Sequence, residues 1–444
     1  MKDRIRDVVR EKLADAVTME YPPMTRREAV LPGIPGKAHA VVGMRRSGKT
    51  WYLLQCLADR LARGVERERL VYFNFEDERL GDLESGDLGL VIEEYYRRYP
   101  HFRKSREVTF CFDEIQLVSG WERFARRVMD SEKVELFLSG SSAKMLSREV
   151  ATSMRGRAVE TLITPFGFRE FLRHRGDPLP AGLVGAKQRS RTAAAFDDYL
   201  ASGGFPEAMA ISSSRDRVRL LQGYVDAVLF RDVAERHNVG NLVALRAFVR
   251  QLLCNPAGTL SISKISSDFH SRGIPASKET FLAFFDYLQD AFLVFAMPIF
   301  TRSERRRQVN PRKLYLADHG LAVAFSPAAG LDRGHLMENI VACELAKSSR
   351  ELAYYKTREG FVVDFLETAH DGSECLIQVC ADLSDETIRV RELRALESAL
   401  RERPGASGLL LCGEEPPPET RFPPGLRVET LWKWLGRPLD SRGV

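Results

Sequence analysis

Short, almost unbroken apolar runs separated by amphipathic stretches mark the first third of the chain. HAVVG, LVYFNF, VTFCFDE and VELFLSG read as strands, and WYLLQCLADRLA, behind the first of them, reads as a helix. A strand apolar on both faces belongs in a sheet covered by helices on both sides, so this pattern predicts a parallel α/β layer. A Pro/Gly-rich stretch at residues 175–186 interrupts it as a surface loop or hinge. From about residue 191 to 290 the apolar spacing is helical, and SRDRVRLLQGYVDAVLFRDVAER is plainly amphipathic. Strand character returns at Leu293. Residues 338–434 read as helix, three strands and helix, followed by a Pro-rich connector and a short terminal strand and helix.

Composition narrows the class without naming it. A chain of 444 residues exceeds one ordinary core, and its 44% hydrophobic content suits packed domains rather than disorder. The longest wholly apolar run, residues 291–300, spans ten residues and contains Pro298, too short to cross a bilayer. No apolar stretch follows the charged start MKDRIRDVVREK, so no secretory signal is expected. Seven cysteines are scattered without a CxxC pair, which points away from a disulfide framework or zinc ribbon and towards the cytoplasm. The net charge of +5 is too small by itself to imply a nucleic-acid partner.

The candidate chemistry starts at residues 43–50. GMRRSGKT fits GxxxxGK[ST] at every fixed position, between a strand and a helix. Backbone N–H groups of Gly43, Arg46, Ser47 and Gly48 would cradle phosphate, helped by the positive end of the helix. Lys49 would reach the β/γ-phosphates and Thr50 would offer its hydroxyl to Mg²⁺. VTFCFDE supplies the second half: an acid at the end of a buried strand is costly unless a cation meets it. Asp113 is the expected Mg²⁺ partner and Glu114 the base or orienter of water. At the tip of VELFLSG, Ser141 is the first choice to sense the γ-phosphate and Ser139 the second. The alternative for these serines is a turn that caps the helix AKMLSREV.

GMRRSGKT, VYFNFEDERL, DEIQLVSGW, FLSGSSAKML, MRGRAVETLITPFGFREF and YLASGGFPEA occur in this order. Together they resemble a large prokaryotic group of AAA-type ATP-binding proteins whose C-terminal domain, of unknown function, is related to the restriction-endonuclease fold. The resemblance implies ATP rather than GTP, and assembly into a homo-oligomeric ring or filament. It also implies that Arg157, in the Gly-Arg pair, reaches a neighbour's γ-phosphate, with Arg155 as a substitute.

Residues 245–318 suggest a winged helix. Its hairpin tip would hold Arg302, Arg305, Arg306, Arg307, Arg312 and Lys313 against Glu304 alone, a local balance of +5 equal to that of the whole chain. Such a projection suits phosphate-backbone contact with DNA without sequence readout; the alternative is a solvated loop. In the last domain Glu338 and Asp364 fit the helix and strand carboxylates of a metal-dependent nuclease. Where that chemistry needs Glu-x-Lys, the chain has Gln378–Val379–Cys380, an amide and a thiol, so no nuclease activity is expected. Lys356 is the close lysine that would restore the site.

The expected architecture is therefore α/β: a P-loop AAA-type ATPase domain at 1–190, a helical lid or linker at 191–240, a winged helix at 241–330 and a degenerate nuclease-like domain at 331–444. The expected function is Mg²⁺-dependent ATP hydrolysis by a cytoplasmic, membrane-free oligomer that engages DNA for remodelling or translocation. Two alternatives stand beside it: a nucleotide-controlled oligomerising switch that binds a protein, and an ATP-driven nuclease.

Overall fold

The computed structural model describes residues 2–141, 154, 156–180, 185–274, 276–309, 311–326, 331–348, 350–416, 420–438 and 442. They form two compact units: residues 1–163 with 290–292, and residues 164–289 with 293–444.

The first unit is built on a parallel sheet in the order β2-β3-β4-β1-β5. Its strands are β1 (Ala38–Val42), β2 (Leu70–Asn74), β3 (Val108–Asp113), β4 (Val134–Gly140) and β5 (Ala158–Leu162). Helices α1 (Lys2–Thr18), α2 (Lys49–Ala62), α3 (Gly89–Arg98) and α4 (Trp121–Ser131) complete the layers. Side chains alternate across a strand, so each strand feeds two cores. Phe110, Phe112, Leu136, Leu138, Ala40 and Val42 join one cluster with α1, α3 and α4. Cys111, Phe137 and Val41 join the other with Leu53 and Leu57 of α2. This explains why the strands read as continuous apolar runs; each fully buried phenylalanine contributes about 1.5–3 kcal/mol.

The second unit begins with helices α5 (Phe168–Arg175), α6 (Ala186–Ser202) and α7 (Ser214–Ala227). In YLASGGFPEA, Asp318 accepts the N–H of Gly204 at 2.8 Å, and a Cβ on Gly204 would meet Phe166 O at 2.2 Å. That motif is a fastening point with no room for a side chain. Next come α8 (Leu242–Leu253), β6 (Thr259–Leu260), α9 (Ile262–Ser271), α10 (Lys278–Asp290), β7 (Val294–Met297) and β8 (Arg312–Leu316). The strands form a sheet in the order β6-β8-β7, and β7–β8 is an antiparallel hairpin.

The hairpin connection is not a bare loop, because it contains α11 (Glu304–Val309). It is also tied to the next sheet. Ile299 bridges Tyr354, Phe300 N donates to Tyr354 O at 2.7 Å, and Tyr354 Oη donates to Pro311 O at 2.6 Å. After α12 (His319–Phe325) and α13 (Arg333–Leu345), the last sheet runs β13-β12-β11-β10-β9. Strands β9 (Glu351–Lys356), β10 (Val362–Thr368) and β11 (Glu374–Cys380) are antiparallel neighbours. Strands β12 (Ser407–Cys412) and β13 (Leu426–Thr430) add parallel pairs. Helix α14 (Glu386–Glu402) packs Leu396 and Ala399 against Leu366, Leu376 and Leu410.

Candidate nucleotide-binding site

In the first unit the loop between β1 and α2 lies at the carboxyl ends of the strands, where open α/β sheets bind ligands. Gly43 (φ 148°), Arg46 (φ 65°) and Gly48 (φ 99°) adopt left-handed backbone in it. A Cβ on Gly43 would stand 2.0 Å from Ile163 O, so the first glycine of the motif is required by packing as well as by conformation. Gly43→Ala is expected to destabilise the protein by about 1–3 kcal/mol; an unchanged urea midpoint would contradict this.

Buried Lys49 folds its Nζ back onto Gly43 O and Met44 O, each at 3.2 Å, and stands 3.8 Å from Glu114 Oε1. Ser47 Oγ and Ser141 Oγ are buried and have no hydrogen-bond partner among the described residues. A buried ammonium at the loop, together with two orphaned hydroxyls at Ser47 and Ser141, fits a phosphate chain. Arg46 is exposed.

Asp113 ends β3 almost wholly buried. Its Oδ2 accepts Thr50 Oγ1 at 2.7 Å and Tyr72 Oη at 2.7 Å, and its Oδ1 accepts Ser139 Oγ. Thr50 and Asp113 are thus brought together as a Mg²⁺ site requires. Glu114 has φ 53°, an uncommon conformation for a residue with a Cβ. Its backbone N donates to Ser139 Oγ at 3.1 Å, and its carboxylate accepts Gln116 Nε2. Strand β4 lies between β3 and β1, which puts Ser139 between Asp113 and the loop strand. Of the two serines, Ser139 is the one bonded to the acids, whereas Ser141 has a free buried hydroxyl. Ser142, Arg155 and AKMLSREV lie outside the described residues.

Two contributors escaped the motif reading. Tyr72 is a polar position within the apolar run LVYFN, and burial and then Asp113 push its phenol above the ordinary range. Arg27, from the segment before β1, donates Nη1 to Ser47 O at 2.7 Å and so braces the loop. Nothing in RREAV signals that role.

Arg157 pairs with Asp130. With Arg123, Arg126, Arg127 and Ser131 they line a cavity of about 440 Å³ that includes no phosphate-loop residue. Four guanidiniums face one carboxylate there, and Arg126 Nε is buried without a hydrogen-bond partner.

The basic segment differs from a projecting tip. Arg302, Arg305, Arg306 and Arg312 are exposed, and Arg307 pairs with Glu351 at 3.0 Å. Lys313 is not at a tip. It lies inside β8, buried, with Nζ 2.8 Å from both Glu338 Oε1 and Asp364 Oδ1. Alternation along β8 turns Lys313 inward beside Tyr315, whose Oη donates to the same Glu338 oxygen at 2.6 Å. Glu338 and Asp364 do meet, but Lys356 is exposed at the end of β9. Gln378 donates to Glu392 at 2.6 Å, and burial pushes the Cys380 thiol up to about 11, so it is neutral at pH 7. All seven cysteines are free, and among the described residues no helix is long and apolar enough to cross a membrane.

An AAA domain family matches residues 35–172, and a domain of unknown function, DUF8612, matches residues 193–332. The chain is 32% identical over 380 residues to the uncharacterized protein MJ1544 of Methanocaldococcus jannaschii, covering 85% of this chain and 81% of that one. It is 28% identical over 349 residues to an uncharacterized protein of Haemophilus influenzae, covering 78% and 83%. Among solved structures, the Walker-type ATPase PABY2304 of Pyrococcus abyssi aligns with 14% identity and a TM-score of 0.41, covering 72% of this chain and 95% of that one. The ORC1 protein of Aeropyrum pernix, solved in complex with DNA, aligns with 16% identity and a TM-score of 0.26, covering 74% and 92%. Neither structural likeness is close enough to carry an argument about function.

Proposed function

The chain belongs to one family with MJ1544 of Methanocaldococcus jannaschii, and from its AAA domain, the geometry at Thr50 and Asp113 and the exposed arginines at 302–312 we propose a Mg²⁺-dependent ATPase that works as an oligomer on DNA. The observation that carries the ATPase reading is the 2.7 Å contact of Thr50 with Asp113 beside the Lys49 loop. Thr50 Oγ1 and Asp113 would hold Mg²⁺, which when bound neutralises charge on the β- and γ-phosphates. Loop N–H groups and Lys49 bind the phosphate chain, Lys49 leaving the Gly43 and Met44 carbonyls to do so. Glu114 orients the attacking water and takes its proton. Ser139 keeps both acids in register, and the Ser141 hydroxyl is the group offered to the γ-phosphate. Arg157 completes the site from a neighbouring copy; the arginine-lined cavity supports an anion-receiving role for that face.

In this reading residues 1–190 are the ATPase domain, 191–240 a lid or linker, 241–330 a winged helix and 331–444 a nuclease-like domain that does not cut. Support for the winged helix is the order helix, strand, helix, helix, hairpin with the sheet β6-β8-β7. Support for DNA contact is the exposed set Arg302, Arg305, Arg306 and Arg312. Turnover should rise with duplex, single-stranded or branched DNA, and mass should rise with nucleotide. Replacing Arg302, Arg305 and Arg312 with alanine should weaken binding to all sequences. It should also reduce the slope of log K against log salt by about 0.9 per lost phosphate contact. Unchanged affinity and slope would remove this segment from the DNA surface.

A specific observation favours the switch as second reading: Lys313 is withdrawn and Arg307 neutralised, which leaves less charge for DNA. Turnover indifferent to all three DNAs, with nucleotide-dependent mass, would select it.

A further inference from the structure

The nuclease-like reading of residues 331–444 implies a divalent cation between Glu338 and Asp364, and the side chains present do not fit one. Lys313 Nζ already stands 2.8 Å from an oxygen of each carboxylate. A hard cation needs six or more oxygens, from carboxylates, carbonyls and water, around that same point. Three of the four carboxylate oxygens are already engaged by protein donors. Glu338 Oε1 also accepts Tyr315 Oη at 2.6 Å, and Asp364 Oδ2 accepts the N–H of Val379 at 2.9 Å. Gln378 Oε1 accepts the N–H of Asp364 at 3.3 Å, and its amide is held by Glu392 at 2.6 Å. Among the described residues no group of three or more His, Cys, Asp or Glu is placed to hold a metal ion.

We infer that Lys313 is a built-in cation: its ammonium occupies the metal position of this domain and closes it to divalent ions. The three charged groups are all buried, so neither carboxylate can be left bare in the apolar surround without a counter-charge. Burial alone would lower the Lys313 ammonium, but Asp364 and Glu338 outweigh it and hold it charged. The same contact couples the strand that returns from the basic segment to the helix and strand that carry the two acids. Covalent attachment makes this cation permanent, whereas a bound ion would exchange with solvent. Removing it should leave two buried carboxylates without their counter-charge, and a divalent ion can supply it in competition with a proton.

The inference rests on the nuclease-like reading only for the position it compares, and it is independent of the ATPase. The test uses the full chain without nucleotide and counts bound Mn²⁺ by the electron paramagnetic resonance of the free ion. Wild-type protein and Asp364→Asn should bind the same amount. Lys313→Ala should bind about one more Mn²⁺ per chain, and the double variant Lys313→Ala/Asp364→Asn should lose that gain. Mn²⁺ should also raise the melting temperature of Lys313→Ala more than that of wild type. Should Lys313→Ala not fold, Lys313→Met keeps the apolar stem and is read the same way. No added Mn²⁺ in a folded Lys313 variant overturns the inference, as does Mn²⁺ that Asp364→Asn strips from the wild type. ATP hydrolysis in the same preparations reports on Lys49 and Glu114 separately, so failure of one reading leaves the other standing.

Discussion

Glu114→Gln protein is expected to bind ATP about as well as wild type and to hydrolyse it about 10²–10⁴-fold more slowly. The amide keeps the size of the side chain and its contact with Gln116, but it cannot accept a proton from water. Lys49→Ala should fail earlier, at binding, because the ammonium meets charge already present in the ground state. Two assays separate these outcomes: equilibrium binding of a fluorescent ATP analogue, and phosphate release at saturating ATP. Wild-type turnover by Glu114→Gln would remove Glu114 from the chemistry. The exposed acid Glu78 makes a suitable control. Tyr72→Phe provides a finer one, since it deletes a hydroxyl from Asp113 without touching Glu114.

Arg157→Ala is expected to bind ATP normally and to lose turnover by about 10³-fold, the usual scale for an arginine supplied to a transferring phosphoryl group. In the isolated chain Arg157 lines a cavity without phosphate-loop residues, so the proposed role is one played across a subunit boundary. Mixing Arg157→Ala with Glu114→Gln protein should then restore part of the activity, because one mixed interface pairs an intact Arg157 with an intact Glu114. Rate should depend on protein concentration in the range where mass changes. Full-rate hydrolysis by strictly monomeric protein would sink the assignment. Asp130→Asn is a useful companion: it frees the Arg157 guanidinium from its intramolecular partner, so it should leave turnover unchanged or raise it.

The parallel sheet of the first unit was legible because each of its first four strands is apolar on both faces, a consequence of cores above and below. β5 was harder to see: AVETL is neither a continuous apolar run nor a clean alternation, and only its pairing with β1 makes it part of the sheet. Ser141 and Ser139 were both legible as strand-tip serines. Which of them bonds to the acids was not, since that depends on the pleat of β4 and its place between β3 and β1.

What the sequence by itself determined is what lives within one short segment: the loop at 43–50, Asp113 at the end of its strand, and the helical or strand period of each stretch. These depend on local sterics and on side-chain alternation, which neighbouring residues in the chain suffice to set. What only the tertiary structure decided is which distant groups meet. Arg27 bracing Ser47, Tyr72 on Asp113, and Lys313 between Glu338 and Asp364 all join residues from separate elements. Lys313 is the clearest case. In the sequence it continues a run of surface arginines. In the fold β8 is buried on both faces from Lys313 onward, and two buried carboxylates there leave the ammonium a single favourable place.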